Sequence, residues 1–162
     1  MPMEIAIQTM EFDDLPQVIE IEHAGFTTPW SEQLFAAEFR NNLSRRFVAL
    51  DARLLPIRVV MGYIIYWRVV YDEFHLMSIA VHPKYQHQGI GTRLMDAMND
   101  DVQKEKNARI VLEVRASNWQ AQELYKKQGY SPIGLRREYY YDNKEDALLM
   151  ERIFGQPEEP QI

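Results

Sequence analysis

A chain of 162 residues, 46% apolar and 26% charged, has the make-up of a single globular domain long enough to bury a core without staples. It contains no cysteine, which excludes a disulfide framework and a thiolate zinc site, and no apolar run approaches the ~18 residues of a membrane span. Acidic residues outnumber basic ones 24 to 18, a net charge of −6 that disfavours direct nucleic-acid binding and suits a neutral or cationic partner.

The four histidines (His23, His75, His82 and His87) lack H-x-x-x-H spacing, so no metal is expected. The first residues show no basic segment followed by an apolar one, and the expected location is the cytoplasm, with no membrane partner. Oligomeric state is not legible in the sequence.

Residues 4–10 alternate and predict a first strand. Asp13 is placed to cap a helix with Leu15, Val18, Ile19 and Phe26 at its apolar positions, Glu22 as a polar break and Pro16 harmless in the first turn. The pattern breaks over residues 25–30. Ser31 caps a second helix, with Leu34, Phe35, Glu38 and Phe39 at helical spacing.

Three strand-like runs follow, at residues 46–51, 59–69 and 73–81, with Pro56 in the first turn between them. Gly62, inside a β-branched and aromatic run, suggests a bulge or a close approach. The next helix carries Ile90, Leu94, Ala97, Met98 and Val102 on one face and ends at Asn107 and Ala108. Residues 109–115 predict a fifth strand, with Ile110, Leu112 and Val114 on one face and Val111, Glu113 and Arg115 on the other. Residues 119–128 form a helix that Gly129 terminates. The last two strands lie at residues 130–140 and 146–152, joined by Asp142, Asn143 and Lys144. The polar tail, 155–162, is expected to be disordered, leaving one domain over residues 1–154.

The most informative segment is the loop between the fourth strand and its helix. Gln86, Gly89 and Gly91 form a Gln-x-x-Gly-x-Gly run, a geometry in which glycines admit a phosphate to the backbone and helix N–H groups point at it. No Asp or Glu occurs from Phe74 to Met95, whereas His82, Lys84, His87 and Arg93 do. The spacing excludes a P-loop, which needs G-x-x-x-x-G-K-[ST], and a dinucleotide fingerprint, which needs a third glycine where Leu94 stands.

With Ile79, Ala80 and Val81 before it, this loop resembles the acetyl-CoA loop of the GCN5-related N-acetyltransferases, in which the Q/R-x-x-G-x-G/A amides bind the CoA pyrophosphate. A second segment is similar to that family's N-x-x-A-x-x-L-Y-x-x-x-G-[FY] pattern, with Asn118, Ala121, Leu124, Tyr125, Gly129 and Tyr130 filling its fixed positions. The resemblance implies an α/β fold with a mixed sheet of about seven strands and about four helices, splayed between strands four and five. It implies acetyl-CoA as co-substrate and no metal. The CoA contacts it implies are Ile79, Ala80 and Val81 at the strand edge, Gln86, His87, Gln88, Gly89, Ile90, Gly91, Thr92 and Arg93 in the loop, and Asn118.

Acetyl transfer to an amine needs a free-base nitrogen and a leaving thiolate. An α-amine with a pKa of about 7.7–8.0 is partly free base near neutral pH, so a mild base acting through water suffices. Glu113 is the only acid of the fifth strand and the candidate base; on pattern alone it is also an exposed strand residue paired with Arg115. Tyr125 is the candidate acid; on pattern alone it is a core aromatic of an amphipathic helix, and Asn118 an N-cap. A phenol is a weaker acid than a thiol, so the expected role of Tyr125 runs from a hydrogen bond to protonation of the thiolate. Without cysteine there is no acetyl-enzyme thioester, and direct attack in a ternary complex is the simplest course.

Two segments could line the acceptor side: Phe26, Pro29 and Trp30 between the first helices, and Tyr139 and Tyr140 in a tyrosine run after Arg136. Read blandly, they are a packed turn and a β-propensity effect. Together with Glu113 they resemble the branch of the family that acetylates peptide N-termini, including the N-terminal alanine of a small-subunit ribosomal protein. The tyrosine-rich segment Tyr139, Tyr140 and Tyr141 and the acidic tail depart from that branch. The remaining alternatives are a small-molecule amine acetyltransferase and a noncatalytic CoA-binding module.

Overall fold

The computed structural model describes residues 2–155. In chain order the elements are β1 (Ile5–Thr9), α1 (Leu15–Gly25), α2 (Glu32–Glu38), β2 (Ser44–Asp51), β3 (Val60–Val70), β4 (Glu73–Val81), α3 (Ile90–Val102), β5 (Arg109–Arg115), α4 (Trp119–Lys127), β6 (Ser131–Arg136) and β7 (Ala147–Ile153). Short 3₁₀ turns cover Phe12–Asp14, Ala52–Leu54 and Pro83–Tyr85. The strands follow the order β1-β2-β3-β4-β5-β7-β6. The β1–β2, β2–β3, β5–β7 and β6–β7 pairs are antiparallel and β4–β5 is parallel, so the sheet is mixed, as expected. The expectation of a disordered tail falls on residues beyond 155, outside the described residues.

The chain divides into two compact units. The first takes the chain up to Trp67 together with Leu76–Met98; the second takes Arg68–His75 together with the chain from Asn99 onward. In the first, alternation along β2 and β3 sends Val48, Leu50, Tyr63 and Ile65 into a cluster with Val18, Ile21 and Phe35 from α1 and α2. The opposite face of β3 is also covered. A Cβ on Gly62 would lie 2.9 Å from the Ala80 carbonyl oxygen and 3.1 and 3.2 Å from side-chain carbons of Ile90 and Leu94. Both anticipated features occur at once, because the β2–β3 register also shifts beside Gly62, between Ala49 and Leu50.

The start of α1 differs from expectation. A 3₁₀ turn precedes the helix, so Asp14 rather than Asp13 folds back: its carboxylate accepts from the Glu11 amide at 2.8 Å and pairs with Arg58 at 2.7 Å. Ser31 caps α2 as expected, accepting from the Leu34 amide at 3.2 Å. Leu34 itself is exposed, since this seven-residue helix turns Phe35 and Glu38 inward instead. The α3 helix ends at Val102, short of the expected Asn107, which lies in a left-handed turn.

In the second unit, β5 is paired along all seven residues with β7 and, over Glu73–His75, with β4. Ile110, Leu112 and Val114 are buried, while Val111, Glu113 and Arg115 are half-buried on the other face. Gly129 ends α4 at φ +88°, with the Tyr130 amide donating to the Tyr125 carbonyl and the Gly129 amide to that of Lys126, a Schellman closure. The β6 strand stops at Arg136, not near residue 140. Residues 137–146 form a loop instead, because side chains on β5 hold them out of the ladder.

Substituting Gly62 with Ala forces a methyl against a carbonyl oxygen and two packed side chains. A loss of about 1–3 kcal/mol is expected in urea unfolding, with an unchanged denaturant slope.

Candidate active site

In the first unit, β4 ends at Val81 and the His82 amide donates to the Met61 carbonyl at 2.8 Å. His82 Nδ1 accepts from the Lys84 amide at 3.1 Å, closing the Pro83–Tyr85 turn. Residues 86–89 then run exposed into α3, with His87 at φ 63° and Gly89 at φ 80°. The Gly89 carbonyl accepts from the Arg93 amide at 3.1 Å, which makes Gly89 the helix N-cap. The amides of Ile90, Gly91 and Thr92 therefore have no carbonyl partner within the helix. A Cβ on Gly89 would meet no atom within 4 Å, so glycine serves here for its conformation, not for want of room. Left-handed residues just before a helix N-terminus make a concavity of N–H groups suited to phosphate.

Around this cradle, the Gln86 side chain folds back 3.5 Å from the Val81 carbonyl, and the Arg93 guanidinium donates to the Ile5 carbonyl at 3.3 Å. Gln88 and Thr92 are exposed, and Ile79, Ala80 and Val81 are half-buried.

The proposed acceptor residues of this unit rest on a buried carboxylate. The α1 helix closes with the Phe26 amide on the Glu22 carbonyl, leaving Phe26 exposed and Pro29 and Trp30 half-buried. The Trp30 amide donates to Glu22 Oε1 at 3.1 Å, and the indole packs on Phe35 with ring centroids 5.3 Å apart. Glu22 is not a polar break on the solvent side: it is 2% exposed, and its other oxygen accepts from the Tyr63 hydroxyl. Tyr63 also lies 3.0 Å from Ser78 Oγ. Burial first, and then the Glu22 charge, push the Tyr63 pKa far up, so the phenol keeps its proton and donates.

In the second unit, Glu113 and Tyr139 meet. The Tyr139 hydroxyl donates to the Glu113 carboxylate, and this bond, ahead of burial, raises the tyrosine's pKa. The partner cation of Glu113 is Arg136, at 3.5 Å, not Arg115. Arg115 instead pairs with Asp142 at 2.9 Å and lies 3.9 Å over the Tyr140 ring. Burial pushes Tyr140 up to about 12, against the lowering pull of Arg115. Tyr139 and Tyr140 meet edge to face at 5.2 Å. Tyr125 is 5% exposed, and burial, then Tyr140, raise its pKa above that of a free phenol. Asn118 Oδ1 accepts from the Ala121 amide at 3.1 Å and so caps α4, leaving the side-chain NH₂ as the group available to a ligand. Among the described residues, no group of three or more His, Cys, Asp or Glu side chains is placed to hold a metal, and no helix is long and apolar enough to cross a membrane.

Residues 15–130 match the acetyltransferase (GNAT) family. The chain belongs to that family. It is an N-acetyltransferase dependent on acetyl-CoA. It is similar to the [ribosomal protein bS18]-alanine N-acetyltransferase of Escherichia coli strain K12, 38% identical over 146 residues, which are 89% of this chain and 94% of that one. Among solved structures it resembles the ribosomal-protein-S18-alanine N-acetyltransferase from Escherichia coli, with a TM-score of 0.84, 34% identity and coverage of 98% and 99% of the two chains. It also resembles Ard1 from Thermoplasma volcanium, with a TM-score of 0.82, 25% identity and coverage of 94% and 99%.

Three residues of this GNAT chain escape the pattern reading. Glu22 shares the inward face of α1 with Leu15 and Val18, and a carboxylate on that face was the available signal. Arg115 and Arg136 find their partners only once residues 137–146 are placed, and nothing in the sequence marks that placement.

Replacing Glu22 with Ala removes the acceptor of the Trp30 amide and of a buried phenol. Stability is expected to fall by about 1–3 kcal/mol or more in chemical denaturation. Trp30 fluorescence in the folded variant should shift toward that of an exposed indole.

Proposed function

We propose that this enzyme moves the acetyl group of acetyl-CoA to the α-amine of a protein N-terminus, with an N-terminal alanine of a small-subunit ribosomal protein as its acceptor. The observation that carries the reading is the Glu113 carboxylate, seated between the Tyr139 hydroxyl and the Arg136 guanidinium on the outer face of β5. A half-buried carboxylate on that face is an acceptor for an amine and for its proton, and its exposed Arg136 partner can swing aside for an incoming ammonium. The names of the bS18-alanine acetyltransferase relatives support the acceptor class.

In this reading the amides of residues 86–92 hold the pyrophosphate, the β4 edge at Ile79, Ala80 and Val81 pairs with pantetheine amides, and Asn118 contributes its NH₂. The donor set fits the ligand: the cradle is exposed, rich in N–H groups and free of carboxylates from Phe74 to Met95. Phe26, Pro29, Trp30, Tyr139 and Tyr140 contact the acceptor. Glu113 accepts the amine proton, directly or through water. Tyr125 donates a hydrogen bond to the departing sulfur and keeps its own proton, since its raised pKa makes full transfer less favourable than for a free phenol. Residues 1–154 act as one catalytic domain, working in the cytoplasm.

A panel of acceptors with acetyl-CoA tests this. An Ala-initiated ribosomal-protein peptide should be acetylated at its α-amine; an N-blocked lysine peptide and free polyamines should not. Glu113→Gln should lose about 10²–10⁴-fold in kcat while still binding acetyl-CoA. Preference for a polyamine would move the enzyme to the small-molecule class. Full activity in both Glu113→Gln and Tyr125→Phe would end the catalytic assignments.

The pH profile gives a second check. The rate should rise as the acceptor α-ammonium loses its proton near pH 7.7–8.0 and then stay level to about pH 10. Because Tyr125 is shifted upward, its O–H persists across that range and imposes no alkaline fall. A lysine acceptor would instead keep gaining rate toward about pH 10.4.

A further inference from the structure

We infer that Arg115 is the positioning residue of the acceptor loop: its guanidinium holds residues 137–146 in the arrangement in which Tyr139 reaches Glu113. This inference rests on the reading of Glu113 as the base and of Tyr139 as an acceptor contact. Arg115 follows Glu113 by two residues on β5, so both side chains leave the same face of the strand.

Its fork takes both carboxylate oxygens of Asp142, at 3.0 and 2.9 Å, and one nitrogen also donates to Asn143 Oδ1 at 3.3 Å. Glu145 lies 3.6 Å from the same nitrogen, and the guanidinium plane covers the Tyr140 ring. The loop thus meets Arg115 through a bidentate ion pair and a stacked ring one residue beyond Tyr139. Lysine can reproduce the charge but neither the fork nor the stack.

The loop needs such a hold. Glu138 and Lys144, neither a glycine, sit at φ 50° and 59°, a conformation that persists only where surrounding contacts over-determine it. Two further bonds help to fix it. The Ser117 amide donates to Glu145 Oε2 at 2.7 Å, and the Glu138 amide to Asp146 Oδ1 at 2.9 Å. The contact with Ser117 is also the chief reason that the Glu145 carboxyl is held below its usual pKa. Among the described residues, however, it is Arg115 that joins Asp142, Asn143 and Tyr140 at a single group.

Arg115→Gln, Arg115→Lys and Asp142→Asn would be compared in steady-state assays with an Ala-initiated peptide and acetyl-CoA. The expected result is a rise of about tenfold in KM for the peptide in all three, with kcat within about twofold and KM for acetyl-CoA unchanged. The double variant Arg115→Gln/Asp142→Asn should be no worse than either single one, since both remove the same contact. A purely structural role would lower the melting temperature and leave the KM values alone; that result, or equal changes in both KM values, overturns the proposal. Asp142→Asn, a change on the exposed loop, carries the test if the Arg115 variants fail to fold. Glu113→Gln run alongside separates the two ideas: full activity there defeats the base assignment, while the peptide KM of the Arg115 variants still reports on the loop.

Discussion

The alternation of β5 is the constraint on which the arrangement of the second unit depends. Seven residues pair with β7 from Arg109 to Arg115, and this register buries Ile110, Leu112 and Val114. The same register presents Glu113 and Arg115 on the opposite face. A slip of one residue would bury both charges and expose three core side chains, so the hydrophobic pattern that secures the strand also aims the carboxylate. The position of Glu113 follows from its neighbours being apolar.

A different arrangement operates in the first unit. The cradle is short: residues 86–89 are exposed, and Ile90, where the helix begins, is buried. What places it is the close approach at Gly62, which lets the Ala80 carbonyl and the Ile90 and Leu94 side chains crowd onto β3. The strand before the loop and the helix after it are thus packed against one residue that has no side chain. The loop between them need only turn, and glycine at residue 89 together with a left-handed His87 accomplishes that.

Much of this was legible in the sequence, and the exceptions share a cause. Periodicity located β4 and β5 to the residue, Gly129 ended α4 as a left-handed cap, and Gly89 marked the turn into α3, because each of these depends on local geometry. Glu22 and Asp14 did not show themselves, since a buried carboxylate is explained by distant donors: the Tyr63 hydroxyl for one and the Arg58 guanidinium for the other. The extent of β6 was overestimated for the same reason. The tyrosines after Arg136 have high strand propensity, but Arg115 and Asp142 hold that segment in a loop, and tertiary contact outweighs propensity.

The distribution of charge, more than its sum, gives the molecule its chemical character. A net charge of −6 says little about a phosphate ligand until the carboxylate-free stretch from Phe74 to Met95 is set beside it. There, backbone N–H groups have no competing carboxylate in the sequence around them. The end of β5 and the loop at residues 137–146 have the reverse composition: Glu113, Asp142, Glu145 and Asp146 crowd together there, and arginines and backbone amides meet them. Of these carboxylates, Asp142, Glu145 and Asp146 are committed to holding the loop. Glu113 is met by an exposed arginine at 3.5 Å and a phenol, partners it can exchange without dismantling the loop. That difference in commitment, rather than any difference in residue type, sets Glu113 apart from the carboxylates that serve as structure.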